Sequence, residues 1–172
     1  MDVLNAMLEH DAWLIGQMLD RAAGLDPEVL DQPITISTDN AGSDSIRSLL
    51  THLVWQKEMW TAAVEGHPAP DGGASSIADL RQCLAVSAPR FLELARRALA
   101  EGRADETFID ATCDPPGSFS YGGMIAHVLT FSAYRRTLAL GALDSAGASD
   151  LGFGDPSDFV TAGRPDQDGA QP

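Results

Sequence analysis

The sequence predicts an all-α protein, a four-helix bundle with a long first crossover connection and an irregular C-terminal tail. Three observations predict this fold class. Apolar residues recur at three- and four-residue steps in four long segments, which is the period of an amphipathic helix. Glycine, proline and polar residues separate these segments. The chain of 172 residues, 44% of them hydrophobic, is long enough for one domain with a buried core.

The first helix is predicted over Asp2–Ala23, and a connection of about twenty residues follows it. In that connection, one short helical turn ends at Leu30, and we interpret Pro33–Gly42 as an extended loop. The connection is long enough to cross the bundle, which permits topologies other than up-down-up-down. The second helix is predicted to begin at Ser43 or Ser45, because serine is a preferred N-cap residue.

The glycine- and proline-rich segment Gly66–Ser75 separates the second helix from the third. Ser76 is predicted to cap the third helix, with Asp79 three residues later in a near capping box. Pro89 lies inside this helix and predicts a kink or a break there. Gly102 is expected to end it.

The fourth helix follows a loop that we place at Arg103–Gly117. It is predicted to begin near Ser118 or Ser120 and to run to about Leu143. The two connections on either side of the third helix allow antiparallel neighbours.

The tail after the fourth helix is rich in glycine and aspartate. We assign residues 1–160 to one domain that includes a packed part of the tail, and expect residues 161–172 to be disordered. Three apolar residues are candidates to hold the tail on the bundle: Leu151, Phe153 and Phe159.

The charge and composition exclude several classes of protein. Eleven lysines and arginines against 25 acidic residues give a formal net charge of −14, which argues against binding to nucleic acid or to an anionic membrane. The sequence has no signal-peptide pattern at its start and no run near the ~18 apolar residues that span a bilayer. Cys83 and Cys113 have no metal-binding or redox spacing, so we expect free thiols and a cytoplasmic protein.

The histidines are the first candidates for chemistry. His52 lies at the edge of the apolar stripe of the second helix, and His10 lies where it can face the interior. His127 begins a largely apolar row with Phe131 and Tyr134, which predicts that His127 points inward. Imidazoles that meet in a bundle suit zinc, nickel or iron. The alternative is that each histidine is separately buried and hydrogen bonded.

Other side chains are candidates with a simpler alternative. Glu58 lies about 120° around the helix from His52, so it can reach a shared site obliquely or pair with a basic residue. Arg135 and Arg136 can bind a carboxylate or form an internal ion pair. Trp55 can fill the core or contact a ligand.

Three stretches of the chain resemble a known family. They are Leu8–Trp13, which reads LEHDAW; Ser45–Val54, which reads SIRSLLTHLV and is followed by Glu58–Trp60; and Gly122–Arg136, which reads GGMIAHVLTFSAYRR. In this order they resemble the DinB/YfiT-like superfamily of helical bundles. That superfamily includes thiol-dependent S-transferases and mycothiol-dependent maleylpyruvate isomerase.

The resemblance implies a four-helix bundle with one long crossover, often dimeric, and a divalent metal held by three histidines. One histidine comes from the second helix, and His52 matches it. The other two come from the fourth helix, four residues apart. Phe131 and Arg135 fall at those positions, and neither binds a cation. An altered metal site would consist of His52, His127 and either Tyr134 or Glu58.

Two functions follow as hypotheses. In the first, a metal-dependent transferase or hydrolase acts on a small molecule, with or without a low-molecular-weight thiol, and the metal lowers the pKa of the bound thiol or water. Arg135 would then orient a substrate carboxylate, with Phe131 and Trp55 as further contacts. In the second, the bundle holds no metal and serves as a small-molecule binding or dimerisation module. Both are compatible with a homodimer.

Overall fold

The computed structural model describes residues 2–34, 45–68, 70–72, 76–148 and 150–162. Within these ranges the chain is mostly helical. Four helices are long: α1 (Val3–Ala22), α3 (Ile46–Glu65), α4 (Ile77–Ala100) and α5 (Tyr121–Ser145). The short elements are α2 (Pro27–Leu30), strands β1 (Thr107–Asp110) and β2 (Gly117–Ser120), and α6 (Pro156–Thr161).

Side-chain caps fix where the long helices begin, and they confirm the predicted starts. Asp2 accepts a hydrogen bond from the amide of Leu4, and Ser45 accepts one from the amide of Ser48. Ser76 forms a reciprocal capping box with Asp79. Of the two serines proposed for the last long helix, the cap is Ser120, whereas Ser118 lies in a strand.

Helix α4 is continuous through Pro89, so the predicted break does not occur. Proline has no N–H to donate to the carbonyl of Ala85, four residues earlier. Both residues are exposed, so water can hydrogen-bond to that carbonyl. The neighbouring residues Ala88 and Phe91 are buried and hold the helix on the core on both sides of the proline.

The fold is mostly helical, as predicted, but the segment predicted as the loop Arg103–Gly117 contains β1 and the first residue of β2, which form a short β-hairpin. β1 and β2 are antiparallel, and Phe108 lies opposite Phe119. The last residue of β2, Ser120, is also the N-cap of α5. The hairpin is therefore anchored directly at the start of that helix.

Each long helix packs mainly against two others, in the cyclic order α1, α4, α3, α5. The helices joined by the long first connection, α1 and α3, are diagonal neighbours, and so are α4 and α5. The core is built from leucine, isoleucine, methionine and alanine side chains on the inner faces of these helices. No helix within the described ranges combines the length and apolar character that crossing a bilayer requires.

The tail is partly regular, which corrects the expectation of an irregular segment. Phe159 on α6 is buried and contacts Trp13 and His10 on α1. Leu151 packs against the core, as expected, but Phe153 is 78% exposed and does not. Disorder was expected over residues 161–172, of which the structure describes only Thr161, the last residue of α6, and Ala162, its C-cap. Most of the loop predicted at Pro33–Gly42 also lies outside the described residues.

Candidate functional site

Helices α3 and α5 and the β-hairpin form the walls of a cavity of about 770 Å³ that opens to solvent. Its volume lies in the range of small-molecule sites. The walls are mostly aromatic and apolar, with few charged groups. The lining residues are His52, Trp55, Gln56, Met59, Trp60, Asp110, Thr112, Cys113, Ser118, Phe119, Ser120, Gly123, Met124, His127, Phe131 and Arg135.

Two contacts show that α3 and α5 run antiparallel along the cavity. Gln56 Nε2 donates to Ser132 Oγ at 2.5 Å. Four residues later on α3, the ring of Trp60 meets the ring of His127, five residues earlier on α5, with centroids 5.5 Å apart. Moving from Gln56 to Trp60, toward the C-terminus of α3, corresponds to moving from Ser132 to His127, toward the N-terminus of α5. At a rise of about 1.5 Å per residue, the two steps have similar lengths.

The same register puts His52, one turn before Gln56, at the level of Arg135 on α5. His127 lies eight residues before Arg135, so the levels of the two histidines differ by about 12 Å along the helix axis. Both line the cavity. They lie toward opposite ends of its helical wall.

A column of stacked side chains follows α5 between those two levels. The guanidinium of Arg135 lies over the ring of Phe131, 4.5 Å from its centroid. Phe131 in turn stacks on His127, with centroids 5.1 Å apart and an angle of 19°. The four-residue spacing puts all three side chains on one helix face. Arg135 is buried, whereas His127 is exposed at the open side of the cavity.

Trp60 joins this column to the hairpin. Its ring meets Phe119 edge-on at 5.3 Å and Phe108 edge-on at 6.3 Å. Such edge-to-face contacts between aromatic rings are favourable beyond the area that they bury. The hairpin is thereby held against α3 and forms the third wall of the cavity.

Asp110 is the acidic residue of the lining, and it is 5% exposed. Its Oδ1 accepts from the amide and the hydroxyl of Thr112, at 2.9 and 2.5 Å, and its Oδ2 accepts from Cys113 Sγ at 3.3 Å. Burial raises the pKa of this carboxyl, but the hydrogen bonds outweigh burial and leave the pKa below its usual value. The hydrogen bond to Asp110 raises the pKa of the Cys113 thiol, and the thiol therefore stays protonated.

The imidazoles of the cavity have defined environments. His52 Nδ1 lies 2.9 Å from the carbonyl oxygen of Ser48, so Nδ1 carries the proton and donates it there. Partial burial and the nearby Arg135 guanidinium hold the pKa of His127 below its ordinary value. His127 is therefore a neutral imidazole near pH 7.

The metal-binding side chains of the cavity do not fit the divalent metal, held by three histidines, that the resemblance implies. The imidazole nitrogens that bind one zinc ion lie about 2.0–2.1 Å from it, so two such nitrogens lie within about 4 Å of each other. At the level of His52, α5 presents Arg135, and one turn away it presents the ring of Phe131. Among the residues that the structure describes, no three histidine, cysteine, aspartate or glutamate side chains are grouped to hold a metal.

The predicted site residues are distributed as follows. Five of them line one cavity: His52, Trp55, His127, Phe131 and Arg135. Tyr134 is 38% exposed and is not part of this lining. Glu58 instead lines a small separate pocket with Cys83, where burial and the Glu58 carboxylate raise the pKa of the thiol to about 12. The inward orientation predicted for His127 is wrong, because the buried face of α5 is rotated toward Met124, Val128 and Arg135.

Behind the cavity wall, a buried group of charges joins α1, α3 and α5. Lys57 Nζ lies 2.8 Å from Asp11 Oδ2, and an amino nitrogen of Arg136 lies 2.9 Å from Asp11 Oδ1. Asp11 and Lys57 are almost fully buried. Arg136 therefore has the internal ion pair that was one of its two predicted roles, while its neighbour Arg135 faces the cavity.

The hairpin residues of the lining were missed by sequence reasoning. A signal was present: the β-prone run Thr107–Asp110 and the run Gly117–Ser120 flank a proline-containing turn. The runs are only four residues each, which is at the lower limit of strand length. Their placement on the cavity depends on Trp60, which no local pattern indicates.

Comparison with known proteins gives one match. The family model described as the DinB superfamily matches residues 12–139, which includes α3, the hairpin and the cavity-lining part of α5. No curated protein and no solved structure matches the chain.

Proposed function

The chain belongs to the DinB superfamily, and from this membership and the cavity we propose that the protein binds a small aromatic or apolar molecule between α3, α5 and the hairpin. The observation that carries the proposal is the cavity itself. It has the volume of a ligand site and aromatic walls on all three sides. Trp55 and Phe131 supply flat apolar contacts, and Arg135 supplies a positive charge inside the lining.

The cavity chemistry favours binding without a metal. The walls offer stacking surfaces, hydroxyl groups and imidazoles, which orient an organic molecule. The finer architecture that we propose is the family's four-helix bundle with one long crossover, supported by the diagonal placement of α1 and α3. From the resemblance we also propose a cytoplasmic homodimer, which light scattering would show as twice the chain mass.

The test is calorimetric titration with 3-phenylpropanamide, a neutral aromatic probe. We expect saturable binding of one molecule per chain. Trp55→Ala should weaken it about tenfold, because aromatic contacts and buried area are lost. Trp13→Ala is the matched control, since Trp13 packs against Phe159 away from the cavity, and it should leave the affinity unchanged. Absence of saturable binding, or equal losses in both variants, would overturn the proposal.

A second candidate is a metal-dependent transferase or hydrolase acting on a small molecule, with or without a low-molecular-weight thiol. One observation favours it: His52 and His127 line the same cavity. It requires the two imidazoles to approach each other around zinc, nickel or iron. Elemental mass spectrometry decides: near one equivalent of metal, lost in His52→Ala, supports this candidate. Metal that stays stoichiometric in His52→Ala would contradict the role of His52.

A further inference from the structure

Outside the cavity, we propose that residues 150–162, which we name the C-terminal latch, form a pH-sensitive device. The latch lies closed on α1 while the imidazole of His10 is neutral, and it opens when His10 binds a second ring proton. The four long helices remain folded in both forms. The device involves none of the residues that line the cavity, so it is independent of the proposed function.

His10 is the residue of α1 that joins the latch to the bundle. It is 6% exposed, and its Nε2 donates to the carbonyl oxygen of Gly154 at 3.0 Å. In the neutral ring Nδ1 therefore carries no proton. Phe159 of α6 meets the imidazole edge-on with centroids 6.0 Å apart, and Trp13 of α1 lies at the same distance. A second proton would place a charge between the imidazole and two apolar rings.

The charges around His10 oppose that second proton. Burial, followed by the positive charge of Arg136 on α5, lowers the pKa of His10 in the folded protein. The carboxylates of Asp11 on α1 and Asp155 in the latch act in the opposite direction, as does the backbone carbonyl. Asp11, however, already pairs with Arg136 and with Lys57 of α3. The closed latch therefore favours the neutral imidazole.

The latch packs separately from the core of the bundle, so it can open by itself. Helix α6 packs mainly on α1, and its buried residue is Phe159. Among the described residues, the two apolar core clusters of the long helices do not include Phe159. A segment with few buried apolar side chains costs less free energy to open than the whole domain costs to unfold.

The position of Gly154 couples the opening of the latch to the protonation of His10. Its backbone lies so close to Leu14 of α1 that an added methyl group would collide with that side chain. This close approach brings the Gly154 carbonyl to the imidazole. Opening separates the two groups and exposes His10 to water, where it binds the second proton more readily. A fall in pH therefore shifts the equilibrium toward the open form.

Hydrogen–deuterium exchange at pH 7.5 and pH 5.5 tests the latch. The readout is the protection factor, which relates the observed exchange to that of an unstructured chain at the same pH. For α6 we expect the protection factor to fall about three- to tenfold at pH 5.5, because an exposed imidazole with a pKa of about 6.5 is then mostly protonated. Protection in the middle of α3 should stay unchanged, because the bundle remains folded.

His10→Gln tests whether the pH dependence belongs to His10. Its amide can still donate to the Gly154 carbonyl but does not titrate, so the protection of α6 should no longer depend on pH. The matched control is His67→Gln, which removes an exposed histidine beside Glu65 and should leave the dependence as in the wild type. Circular dichroism checks that each variant is folded.

Phe159→Ala tests the same coupling in the reverse direction. Loss of the ring should open the latch at both pH values, because α6 loses its buried side chain. The imidazole of His10 is then solvated, and its pKa, measured by NMR titration of the histidine ring, should rise toward the ordinary value. This readout does not depend on how well glutamine replaces His10.

Four results would overturn the inference. The first is α6 protection that is equal at the two pH values in the wild type, and the second is an equal loss of protection in α6 and α3, which would mean global unfolding. The third is a pH dependence that survives in folded His10→Gln. The fourth is an unchanged pKa of His10 in folded Phe159→Ala.

Discussion

Two adjacent arginines on α5 show how much single residues depend on tertiary context. Arg135 lines the cavity and stacks on Phe131. Arg136 points the other way and pairs with Asp11, which also pairs with Lys57. Asp11 thus balances two cations from two other helices in the interior.

The buried carboxylate gives the first prediction. Asp11→Asn should reduce the free energy of unfolding by about 3–5 kcal/mol, because it leaves two inward-facing cations without their counter-charge. Urea denaturation followed by circular dichroism measures the change. The control is Asp31→Asn, which breaks an exposed ion pair with Arg47 and should cost far less. Similar losses in the two variants would mean that the buried group contributes no more than a surface pair.

His10 gives a prediction about pH. It is buried, and its Nε2 donates to the carbonyl oxygen of Gly154 at 3.0 Å. Burial and the Arg136 charge lower its pKa in the folded protein; the Gly154 carbonyl and the Asp11 and Asp155 carboxylates oppose this shift only in part. The unfolded chain therefore binds a proton more readily near pH 6.5, and stability falls as the pH drops below that value.

The substitution His10→Gln tests this dependence. An amide can still donate to the Gly154 carbonyl but does not titrate. The free energy of unfolding, measured between pH 7.5 and pH 5, should therefore fall less steeply in the variant than in the wild type. An identical slope in both proteins would show that His10 has no part in the dependence.

At the residue scale, sequence predicted part of the candidate site. Helical spacing and the family resemblance indicated His52, Trp55, His127, Phe131 and Arg135, which all line the cavity. Spacing indicated the wrong face of α5 as buried, because its apolar residues occur almost all around the helix. The partners of neighbours such as Arg135 and Arg136 depend on which helices lie on either side.

At the element scale, the segment before α6 is held on α1 by close packing. Gly154 has φ +74°, and a methyl group added to it would collide with the side chain of Leu14. Its carbonyl also accepts the hydrogen bond from His10. The residue is therefore constrained by its backbone conformation and by its neighbour.

Gly154→Ala should destabilise the protein more than Gly152→Ala. Both glycines have positive φ, which costs roughly 1–2 kcal/mol for an alanine. The surroundings of Gly152 are open, whereas those of Gly154 are filled by Leu14. Urea denaturation of the two variants gives the comparison directly. A Gly152→Ala variant that is equally or more destabilised would contradict the docking of this segment.

Local signals predicted the helices well and the other elements poorly. Serine caps marked the starts of three long helices because capping is a local interaction. The hairpin is stabilised by Trp60 of α3, which is distant in sequence. The two short strands therefore carried no local signal comparable to a helix cap. Pro89 indicated a kink or a break, and the break does not occur, because burial on both sides of the proline keeps α4 continuous.

For the whole molecule, the helical fold class followed from periodicity, but the packing order did not. The cyclic order α1, α4, α3, α5 places α3 beside α4 but separates α1 from α3 and α4 from α5. It brings α3 beside α5, and the groove between them, closed by the hairpin, forms the cavity. Amphipathic patterns show that each helix has a partner without showing which helix it is.

The central claim is that this cavity binds a small aromatic molecule, and tryptophan fluorescence tests it most directly. Trp55 and Trp60 line the cavity, whereas Trp13 on α1 packs against Phe159 of α6. In Trp13→Phe, saturating 3-phenylpropanoate should change the emission of the two cavity tryptophans with a saturable dependence on concentration. In a variant that carries both Trp55→Phe and Trp60→Phe, the emission of Trp13 should not respond. A response from Trp13, or none from the cavity pair, would contradict the account.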